Sequence, residues 1–413
     1  MKPSAELLRS YARLAIQTGV NLQKGQSLII NSPIEGAEFV HYLVEEAYLA
    51  GGENIQVEWG DEIVARLRYE KEPMHVLESF PDWRVQKMNE HVENGGAVLS
   101  VYAQNPELLK GIDPKRPAAA SKAAGEALEK YRSYMMNDRV QWSIVSIPTE
   151  GWVKKVFPDL DVEAGVAKLW DEIFKIVRVD GGDPIAAWKE HNETLRKARE
   201  VLNKKQYQKL VYKAPGTDLE IELIENHIWH GGSAVAETGA EFNPNIPTEE
   251  VFTMPYRDGV NGTVRSTKPL NYHGNLIHNF SLTFKDGKVV DFEAEEGYET
   301  LEQLLNTDEG SRFLGEVALV PHTSPVSQSN VIFYNTLFDE NASCHLALGE
   351  AYPTNVEGGS KMSKDELKAA GVNTSINHED FMIGSAELDI DGVTKDGKVE
   401  PIFRKGNWAI DLG

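Results

Sequence analysis

The stretch QSLIINSPIEGAEFVHYLVEEAYLAGGENIQVEW, Gln26 to Trp59, contains the pattern that decides the fold of the first half of the chain. QSLIIN is a short apolar run, which is typical of a buried strand. GAEFVHYLVEEAYLAGG places Phe39, Leu43, Ala47 and Tyr48 at helical spacing and stops at a glycine pair. NIQVEW is strand-like again. A strand, a helix and a strand in this order indicate a parallel or mixed sheet covered by helices.

The same alternation continues to about residue 205. AVLSVY and VQWSIVS are further strand candidates, separated by helix-like segments. Long helical patterns run from Asp161 to about Val177 and from Pro184 to about Lys205. The second of these is rich in charge and is the best candidate for a connection between domains. We therefore predict an α/β N-terminal domain over residues 1–205.

After residue 205 the pattern changes to short strands. The strand-like runs are LEIELIEN, HNFSLTF, KVVDFEA, VIFYNTLF, AELDIDG and PIFRKGNWAI. Asp-Gly pairs at residues 286, 391 and 396 are tight-turn signals between such runs. Only ETLEQLLN and SKDELKAAG are clearly helical in pattern. Residues 206–413 are therefore predicted to form a strand-rich α+β domain.

Length, charge and cysteine content limit the function classes. A chain of 413 residues is long enough for two domains. Its net charge of -22, from 42 basic and 64 acidic residues, argues against nucleic acid as a partner. No apolar run approaches the about eighteen residues that a membrane span needs. One cysteine and no signal-peptide pattern lead us to expect a cytoplasmic protein.

The single cysteine, Cys344, directly precedes His345 in FDENASCHLALGEAYP. Neighbours on a strand point to opposite faces, and on a helix they diverge by roughly 100°, so a thiolate–imidazole pair between them is awkward. A catalytic cysteine usually takes its base from a distant part of the sequence. Small residues surround Cys344, and we therefore predict that it is a small buried side chain rather than a nucleophile.

His378 and Asp380 form a pattern that can hold a metal. Two positions apart in an extended segment, they project from one face and can bind a single cation. Imidazole nitrogen and carboxylate oxygen suit zinc, cobalt or manganese. The alternative is that Asp380 caps an element and His378 lies on the surface. His227 and His230, in HIWH, could also bind a metal, but a turn is the better interpretation.

Further carboxylates occur at unusual positions. Glu340 forms a second pairing with His345, whereas Glu249, Glu250 and Glu316 lie against apolar segments bounded by proline. A buried carboxylate without compensation is costly, and a bound metal would remove that cost. The alternative for each glutamate is a solvated strand end. Spacing alone leaves open whether these segments meet in space.

Five segments together resemble a known family. EGWVKKVFP, NIPTEEVFTMP, GEVALVP, LFDENASCHLALGEAYP and VNTSINHEDFMIG, in this order, are similar to the thermophilic-type metalloaminopeptidases, the aminopeptidase T and aminopeptidase S family. The resemblance covers essentially the whole chain. It implies an exopeptidase that removes N-terminal amino acids from short peptides. It also implies a homodimer whose subunit combines an α/β N-terminal domain with a C-terminal catalytic domain.

The resemblance further implies a site with two divalent metal ions. The implied metal ligands are Glu250, Glu316, Glu340, His345, His378 and Asp380. Four carboxylates bring two such ions near neutrality, with Glu316 as the expected bridge. A water shared between the ions would be the nucleophile, its pKa lowered to about 7. Tyr352 is implied as a catalytic group that is not a ligand and that donates a hydrogen bond to the developing oxyanion.

Two other functions fit parts of the sequence. An acidic calcium-binding protein would explain the net charge, but calcium prefers oxygen ligands and leaves the two histidines without a role. A hydrolase with Cys344 as nucleophile is the other alternative. The metal itself stays open, because zinc, cobalt and manganese all accept this set of ligands. For residues 1–205 we expect a role in covering the site or in building the dimer.

Overall fold

Most of the described chain lies in strands and helices. The computed structural model describes residues 3–103, 105–272 and 275–412. The strands in chain order are β1 Leu28–Pro33, β2 Ile55–Gly60, β3 Ala97–Val101, β4 Trp142–Val145, β5 Lys209–Ala214, β6 Thr217–Leu223, β7 Ala234–Val235, β8 Glu241–Phe242, β9 Val251–Thr253, β10 Pro255–Arg265, β11 Leu270–Tyr272, β12 Asn275–Lys285, β13 Lys288–Glu296, β14 Leu314–Leu319, β15 His345–Gly349, β16 His378–Met382, β17 Asp389–Val393, β18 Val399–Arg404 and β19 Asn407–Trp408.

The α-helices concentrate in the first half. In chain order they are α1 Ala5–Leu14, α2 Ala37–Leu49, α3 Glu62–Lys71, α4 Met74–Leu77, α5 Asp82–Glu93, α6 Lys115–Ala127, α7 Glu129–Met136, α8 Glu150–Val156, α9 Val162–Ile176, α10 Pro184–Lys205, α11 Tyr298–Leu305, α12 Pro325–Ser329, α13 Thr336–Asp339 and α14 Lys364–Ala369. Within the residues that the structure describes, none of these helices is both long enough and apolar enough to cross a membrane.

The chain divides into two compact units. Unit 1 comprises residues 1–190 and 233–247, and unit 2 comprises residues 191–232 and 248–413. The first division falls inside α10, whereas the predicted boundary at residue 205 lies at the end of that helix. Segment 233–247, which contains β7 and β8, belongs with the first unit although its neighbours in sequence belong with the second.

Unit 1 contains a parallel sheet in the order β2-β1-β3-β4. Leu28 of β1 lies beside Ile55 of β2 on one side and Ala97 of β3 on the other. Consecutive residues of β1, Leu28, Ile29 and Ile30, are all buried. This is expected of parallel sheets, because helices cover both faces. The predicted α/β architecture of the first half is therefore confirmed.

Aromatic side chains on the helices of unit 1 pack together. The Tyr11 ring of α1 stacks on Phe39 of α2 at a centroid distance of 4.9 Å and meets the edge of Phe174 of α9 at 6.2 Å. The Tyr11 hydroxyl donates a hydrogen bond to the carbonyl oxygen of Ser146 at 3.0 Å, directly after β4. One side chain thus links three helices and the end of a strand, and its polar atom is satisfied.

Unit 2 is built on a large antiparallel sheet. Its strand order in the described residues is β11-β12-β10-β6-β5-β17-β18-β19, with β13 paired to β12. Buried and exposed residues alternate strictly along β6, so one face of this sheet is covered. The second half of α10 contributes Leu195, Ala198 and Leu202 to the same core. A strand-rich α+β fold, as predicted, is confirmed.

A smaller antiparallel sheet, in the order β16-β15-β14-β9, packs over the large one. Phe381 of β16 meets Phe280 of β12 at a ring-centroid distance of 5.6 Å. Leucine and valine side chains of β14 and β15 belong to the same buried cluster as those of the large sheet. One face of the small sheet therefore packs in the core, whereas the other face can carry polar groups.

The strand predicted over VIFYNTLF, residues 331–338, is wrong. The segment is a loop that ends in α13. The carboxylate of Asp339 accepts hydrogen bonds from the backbone N–H groups of Phe333 at 2.8 Å and Asn335 at 3.0 Å. The side chain of Asn335 in turn accepts from the N–H of Leu337 and caps the helix. These local bonds offer the backbone an alternative to a strand ladder despite the apolar composition.

Candidate metal centre

The small sheet turns alternate residues of β15 to opposite faces. Leu346 and Leu348 enter the core. His345, Ala347 and Gly349 therefore share the other face, because side chains alternate along a strand. The HLALG sequence thus places one imidazole and two very small residues on the face that is not covered by the large sheet.

Strand register brings acids and a second imidazole around these small residues. Ala347 lies opposite Glu316 of β14 on one side and opposite Asp380 of β16 on the other. Gly349 lies opposite His378. Directly opposed residues in an antiparallel pair share a face, so Glu316, His378 and Asp380 all project beside His345. Large side chains at 347 and 349 would fill the space between them.

Glu250 joins the same face from the other edge of the sheet. Phe252 of β9 lies opposite Ala318 of β14, and Glu250 stands two residues before Phe252, which gives it the same orientation. Glu249 has the opposite orientation, and its Oε2 lies 3.7 Å from Nε2 of His191. Of the adjacent glutamate pair, one therefore reaches the cluster and the other does not.

Glu316 occupies the centre of the cluster. Its Oε1 lies 3.4 Å from Nε2 of His345, and its Oε2 lies 3.8 Å from Nε2 of His378. Nε2 of His345 also lies 3.3 Å from Oε2 of Glu250, and Nε2 of His378 lies 3.5 Å from Oδ1 of Asp380. Two groups result, Glu250–Glu316–His345 and Glu316–His378–Asp380, each with potential ligand atoms within 4.8 Å of one another. Glu316 belongs to both.

Backbone carbonyls fix the orientation of both imidazoles. Nδ1 of His345 lies 3.1 Å from the carbonyl oxygen of Ser343, and Nδ1 of His378 lies 2.7 Å from that of Glu350. A carbonyl only accepts, so Nδ1 carries the proton that it donates there. Nε2 of each ring then turns a lone pair towards the carboxylates when the imidazole is neutral. Metal-binding histidines are typically held in this way.

The electrostatics of the cluster favour added positive charge. Burial raises the pKa of Glu316, and the nearby charges of Asp380 and Glu250 raise it further. The pKa of Glu340 lies well above its usual range because of burial and of the negative charges of Glu250 and Asp380. Burial lowers the pKa of His345, but hydrogen bonding to Glu250 and Glu316 outweighs it and raises the pKa well above the ordinary value. A bound cation would relieve this repulsion.

The donor set suits a divalent transition metal. Oδ1 of Asp380 is shielded from solvent and accepts no hydrogen bond from the described residues, since the His378 imidazole 3.5 Å away lies outside hydrogen-bond geometry. A carboxylate oxygen in this state has a lone pair available for an ion. Two imidazole nitrogens and several carboxylate oxygens are a combination that zinc, cobalt and manganese accept and that calcium does not favour. The residues therefore fit divalent metal ions.

Glu340 and Tyr352 border the cluster. Glu340 begins a short 3-10 helix, Glu340–Ala342, and lines a cavity together with His378 and Asp380, but among the described residues it belongs to neither group of close ligand atoms. The Tyr352 ring lies 4.8 Å from that of His378 between centroids. Burial, followed by the surrounding carboxylates, raises the pKa of Tyr352, so that the phenol keeps its proton at neutral pH.

Other candidates from the sequence lie outside the cluster. His227 and His230 each bond a backbone carbonyl, of Ile224 at 2.9 Å and of Thr354 at 2.8 Å respectively. Cys344 is buried, and its Sγ exchanges hydrogen bonds of 3.3 Å with the backbone of Val320. Burial raises the pKa of the Cys344 thiol to about 12. The prediction that this cysteine is a small buried side chain is confirmed.

Sequence reasoning missed the groups that support the ligands. The sequence gives no sign that the carbonyls of Ser343 and Glu350 orient the imidazoles, and it indicates Ala347 and Gly349 only as small residues near Cys344. One signal was present, because the HLALG stretch alternates leucine with residues of minimal size beside a histidine. On a strand, such a pattern indicates one face packed in the core and one face kept open for other side chains.

Comparison with known proteins gives a consistent result. The family model described as "Thermophilic metalloprotease (M29)" matches residues 4–408. The chain is 58% identical over 405 residues to "Aminopeptidase 2" of Geobacillus stearothermophilus, with 98% of each chain covered. It is 42% identical over 410 residues to "Aminopeptidase T" of Thermus aquaticus, covering 99% of this chain and 100% of the relative.

A solved structure matches as well. "Wild-type AmpT from Thermus thermophilus" superposes with a TM-score of 0.91 at 40% sequence identity, over 98% of this chain and 99% of the other. Sequence and fold thus agree over almost the full length, as the resemblance of the five segments predicted. The chain belongs to the thermophilic metalloprotease (M29) family of metalloaminopeptidases, which are hydrolases that act on peptide bonds.

Proposed function

We propose that the protein is a dinuclear metal-dependent aminopeptidase that hydrolyses the N-terminal peptide bond of short peptides. The observation that carries this proposal is the position of Glu316, which presents one carboxylate oxygen to each of two histidines. Each histidine has a second carboxylate beside it, Glu250 in one case and Asp380 in the other. A shared carboxylate between two half-sites is the arrangement that a pair of metal ions requires.

The proposed ligands are the six residues that the family resemblance implies. They are Glu250, Glu316, Glu340, His345, His378 and Asp380. Glu316 would bridge, and Glu340 would complete the set from the cavity side, since it lines the cavity with His378 and Asp380. Zinc, cobalt and manganese are the candidate ions. When bound, two such ions supply Lewis acidity at the scissile carbonyl and activate a water molecule at neutral pH.

The chain itself contributes charge and orientation. With two divalent ions held by four carboxylates the cluster would be near neutrality, and it would accept the free α-amino group of a peptide as a further ligand, which an internal peptide segment lacks. This accounts for a preference for the N-terminal bond. The carbonyls of Ser343 and Glu350 hold the imidazoles in place, so that the ligand positions are set before the substrate arrives.

Tyr352 is the proposed oxyanion donor. Its ring packs against His378 at 4.8 Å and against Phe252 at 6.4 Å between centroids, which restricts its motion. A phenol held in this way can donate a hydrogen bond to the oxygen on which negative charge develops. Such a donor contributes most when it is fixed in advance and shielded from water.

Quaternary structure and location belong to the same proposal. We infer a cytoplasmic homodimer in which the first domain builds the dimer or restricts access to short peptides. The support is the family resemblance together with one buried free cysteine, which fits a reducing compartment. Light scattering on the purified protein would measure the mass in solution. A mass equal to a single chain would contradict the dimer.

The decisive experiment combines metal content with rate. His345→Ala is expected to lower the bound metal per chain and to reduce hydrolysis of leucine p-nitroanilide at least about a hundredfold, because it removes a ligand and leaves buried carboxylates uncompensated. The matched control is His75→Ala, an exposed histidine of α4, which should change neither quantity. Full activity after exhaustive chelation would overturn the proposal.

A further inference from the structure

A cavity of about 270 Å³ opens beside the acidic cluster. Its walls are β16, residues 268–271, which include the start of β11, and residues 332–336, which form a loop and the start of α13. His378, Glu340 and Asp380 form one end of it. A peptide whose N-terminus reaches the cluster therefore has this space available for its remaining atoms, which include the side chain of its first residue and the residues beyond the scissile bond.

Lys268 is the one lysine or arginine that lines this cavity, in the part of the chain that the structure describes. Its side chain is half-buried, and among the described residues no side-chain hydrogen bond is made with its ammonium group. Burial lowers the pKa of Lys268, as expected of a cation that lacks a close partner. An anionic group in the cavity would provide that partner.

Among the described acids around the cavity, Asp339 is the one whose charge acts on Lys268. Asp339 raises the pKa of Lys268 by its charge, but both of its carboxylate oxygens accept backbone N–H groups of the loop, from Phe333 and Asn335. Glu340 and Asp380 belong to the proposed ligand set. Glu379 also lines the cavity, but among the described residues its charge does not act on Lys268. The charge of Lys268 is thus balanced only in part, by Asp339, and it can bind a further anionic group.

The backbone holds Lys268 in place. The N–H of Thr267 donates to the carbonyl oxygen of Met382 in β16 at 2.8 Å, which fastens the loop to the edge of the small sheet. On the other side, the N–H of Ser266 donates to the carbonyl oxygen of Phe280 at 2.9 Å, and the Ser266 hydroxyl accepts from the N–H of Phe280 at 3.1 Å. Pro269 limits the backbone of Lys268 to extended conformations. The Cα atom from which the Lys268 side chain extends is therefore held in place beside the cavity.

The edge of β16 offers a place for the peptide backbone. Ladder bonds from Glu350 N–H to Asn377 O at 2.7 Å and from Ile383 N–H to Cys344 O at 2.9 Å set the alternation along β16. By that alternation the backbone groups of His378 and Asp380 turn away from β15, towards the outer edge. An extended peptide can pair with such an edge, and it would then run from the cluster along the cavity wall.

We propose that Lys268 binds a carboxylate of the peptide substrate and so determines which peptides are cleaved efficiently. The first source of this carboxylate is the free C-terminus of a peptide of two or three residues, and the second is an acidic side chain on the N-terminal residue. The inference rests on the proposed aminopeptidase function and adds the substrate class to it. It makes Lys268 a specificity-determining residue rather than a catalytic one.

The test compares substrates with and without each carboxylate. Leucylglycine is compared with leucylglycinamide, and glutamate p-nitroanilide with leucine p-nitroanilide, for the wild type and for Lys268→Met. If Lys268 binds the C-terminal carboxylate, Lys268→Met should lower kcat/KM for leucylglycine about tenfold or more relative to leucylglycinamide, as for the loss of a hydrogen bond to a charged group. If Lys268 binds an acidic side chain of the N-terminal residue, Lys268→Met should cause the same loss for glutamate p-nitroanilide relative to leucine p-nitroanilide. Equal effects on all four substrates, or none, would overturn the proposal.

Two further variants serve as controls. Lys268→Arg keeps the charge and is expected to retain part of the preference for the carboxylate. Lys288→Met makes the same replacement at an exposed lysine of β13 that does not line the cavity, and it should behave as the wild type. If Lys268→Arg lost the preference as fully as Lys268→Met, charge would not be the cause and the inference would be wrong.

Binding can be followed without turnover. A leucylglycine analogue with CH2–NH in place of the peptide CO–NH is prepared as free acid and as amide, and each is titrated calorimetrically into the zinc-loaded protein. We expect the wild type to bind the free acid about tenfold more tightly than the amide. For Lys268→Met we expect no such difference. This result would stand even if the protein hydrolysed no peptide, which separates failure of the inference from failure of the proposed function.

Discussion

Gly349 lies directly opposite His378 in the ladder between β15 and β16. A Cβ atom on residue 349 would come within 2.2 Å of the carbonyl oxygen of Asn377, and the φ angle of Gly349 is +109°. Neither the space nor the backbone conformation accepts a side chain there. The absence of a side chain at 349 is therefore what lets the strand that carries His378 and Asp380 pair closely with β15.

Gly349→Ala is expected to destabilise unit 2 by about 2–5 kcal/mol, since backbone strain and overpacking add. It should also lower the bound metal, because the strand that bears two of the proposed ligands must shift. Urea unfolding and elemental analysis measure the two effects. Gly397→Ala is the control, because that turn has φ +82° but no atom of the described residues within 4 Å of the added Cβ. Equal losses in both variants would refute a steric role.

Glu316→Gln tests the shared carboxylate. Since Glu316 lies in both groups of ligand atoms, its replacement by a neutral amide should reduce occupancy at both metal positions. Glu250→Gln, which touches one group, should reduce occupancy at one. Elemental analysis after dialysis against a fixed zinc concentration measures ions per chain. The bridging assignment fails if the two variants lose the same amount of metal.

Tyr352→Phe removes the proposed oxyanion donor while keeping the ring that packs against His378. We expect kcat to fall about 10²–10³-fold, which is the usual cost of losing one such donor. The metal content should remain that of the wild type. Steady-state kinetics and elemental analysis on the same preparation provide both numbers. An unchanged kcat would leave Tyr352 with a packing role alone.

Metal removal should lower the melting temperature. Burial and mutual repulsion raise the pKa values of Glu316 and Glu340, so the cluster opposes folding when no cation balances it. An ion present at a hundredfold excess over its Kd would stabilise the native state by about 2.7 kcal/mol. Calorimetry of the chelated and the zinc-loaded protein measures the difference. In Asp380→Ala the response to zinc should be much smaller, and an equal response would place the binding elsewhere.

Iodoacetamide should leave the activity unchanged. Cys344 is buried, and the pKa of its thiol, raised to about 12 by burial, leaves almost no thiolate at neutral pH. Mass spectrometry of the native protein should find no label, whereas the urea-unfolded protein should take up one. Loss of activity in step with native labelling would restore Cys344 as a candidate nucleophile.

Local patterns in the sequence predict two features of this candidate site. His378 and Asp380 are two residues apart on one strand, so the period of a strand alone places both on one face. Cys344 and His345 are adjacent, so the same period of two places their side chains on opposite faces. Both inferences depend on a few bonds of a single segment, which is why residue spacing was sufficient for them.

Pairing between strands could not be predicted in the same way. β14 is irregular between Leu314 and Glu316, where the register against β15 shifts by one residue. Without that shift the side chain of Glu316 would turn to the core face. A Cβ at Gly315, inside the irregularity, would lie 2.2 Å from the carbonyl oxygen of Glu350. The bulge thus depends on a contact between residues far apart in sequence, and composition does not reveal it.

Segment 233–247 has a consequence for how this protein can be divided. The polypeptide passes from one compact unit to the other at residues 190, 232 and 247. A gene fragment that begins at codon 206 would encode most of the metal-binding half without Leu195, Ala198 and Leu202, which complete its core. Neither unit is one continuous stretch of sequence. Recombination that exchanges only one continuous segment is therefore expected to yield misfolded chimeras.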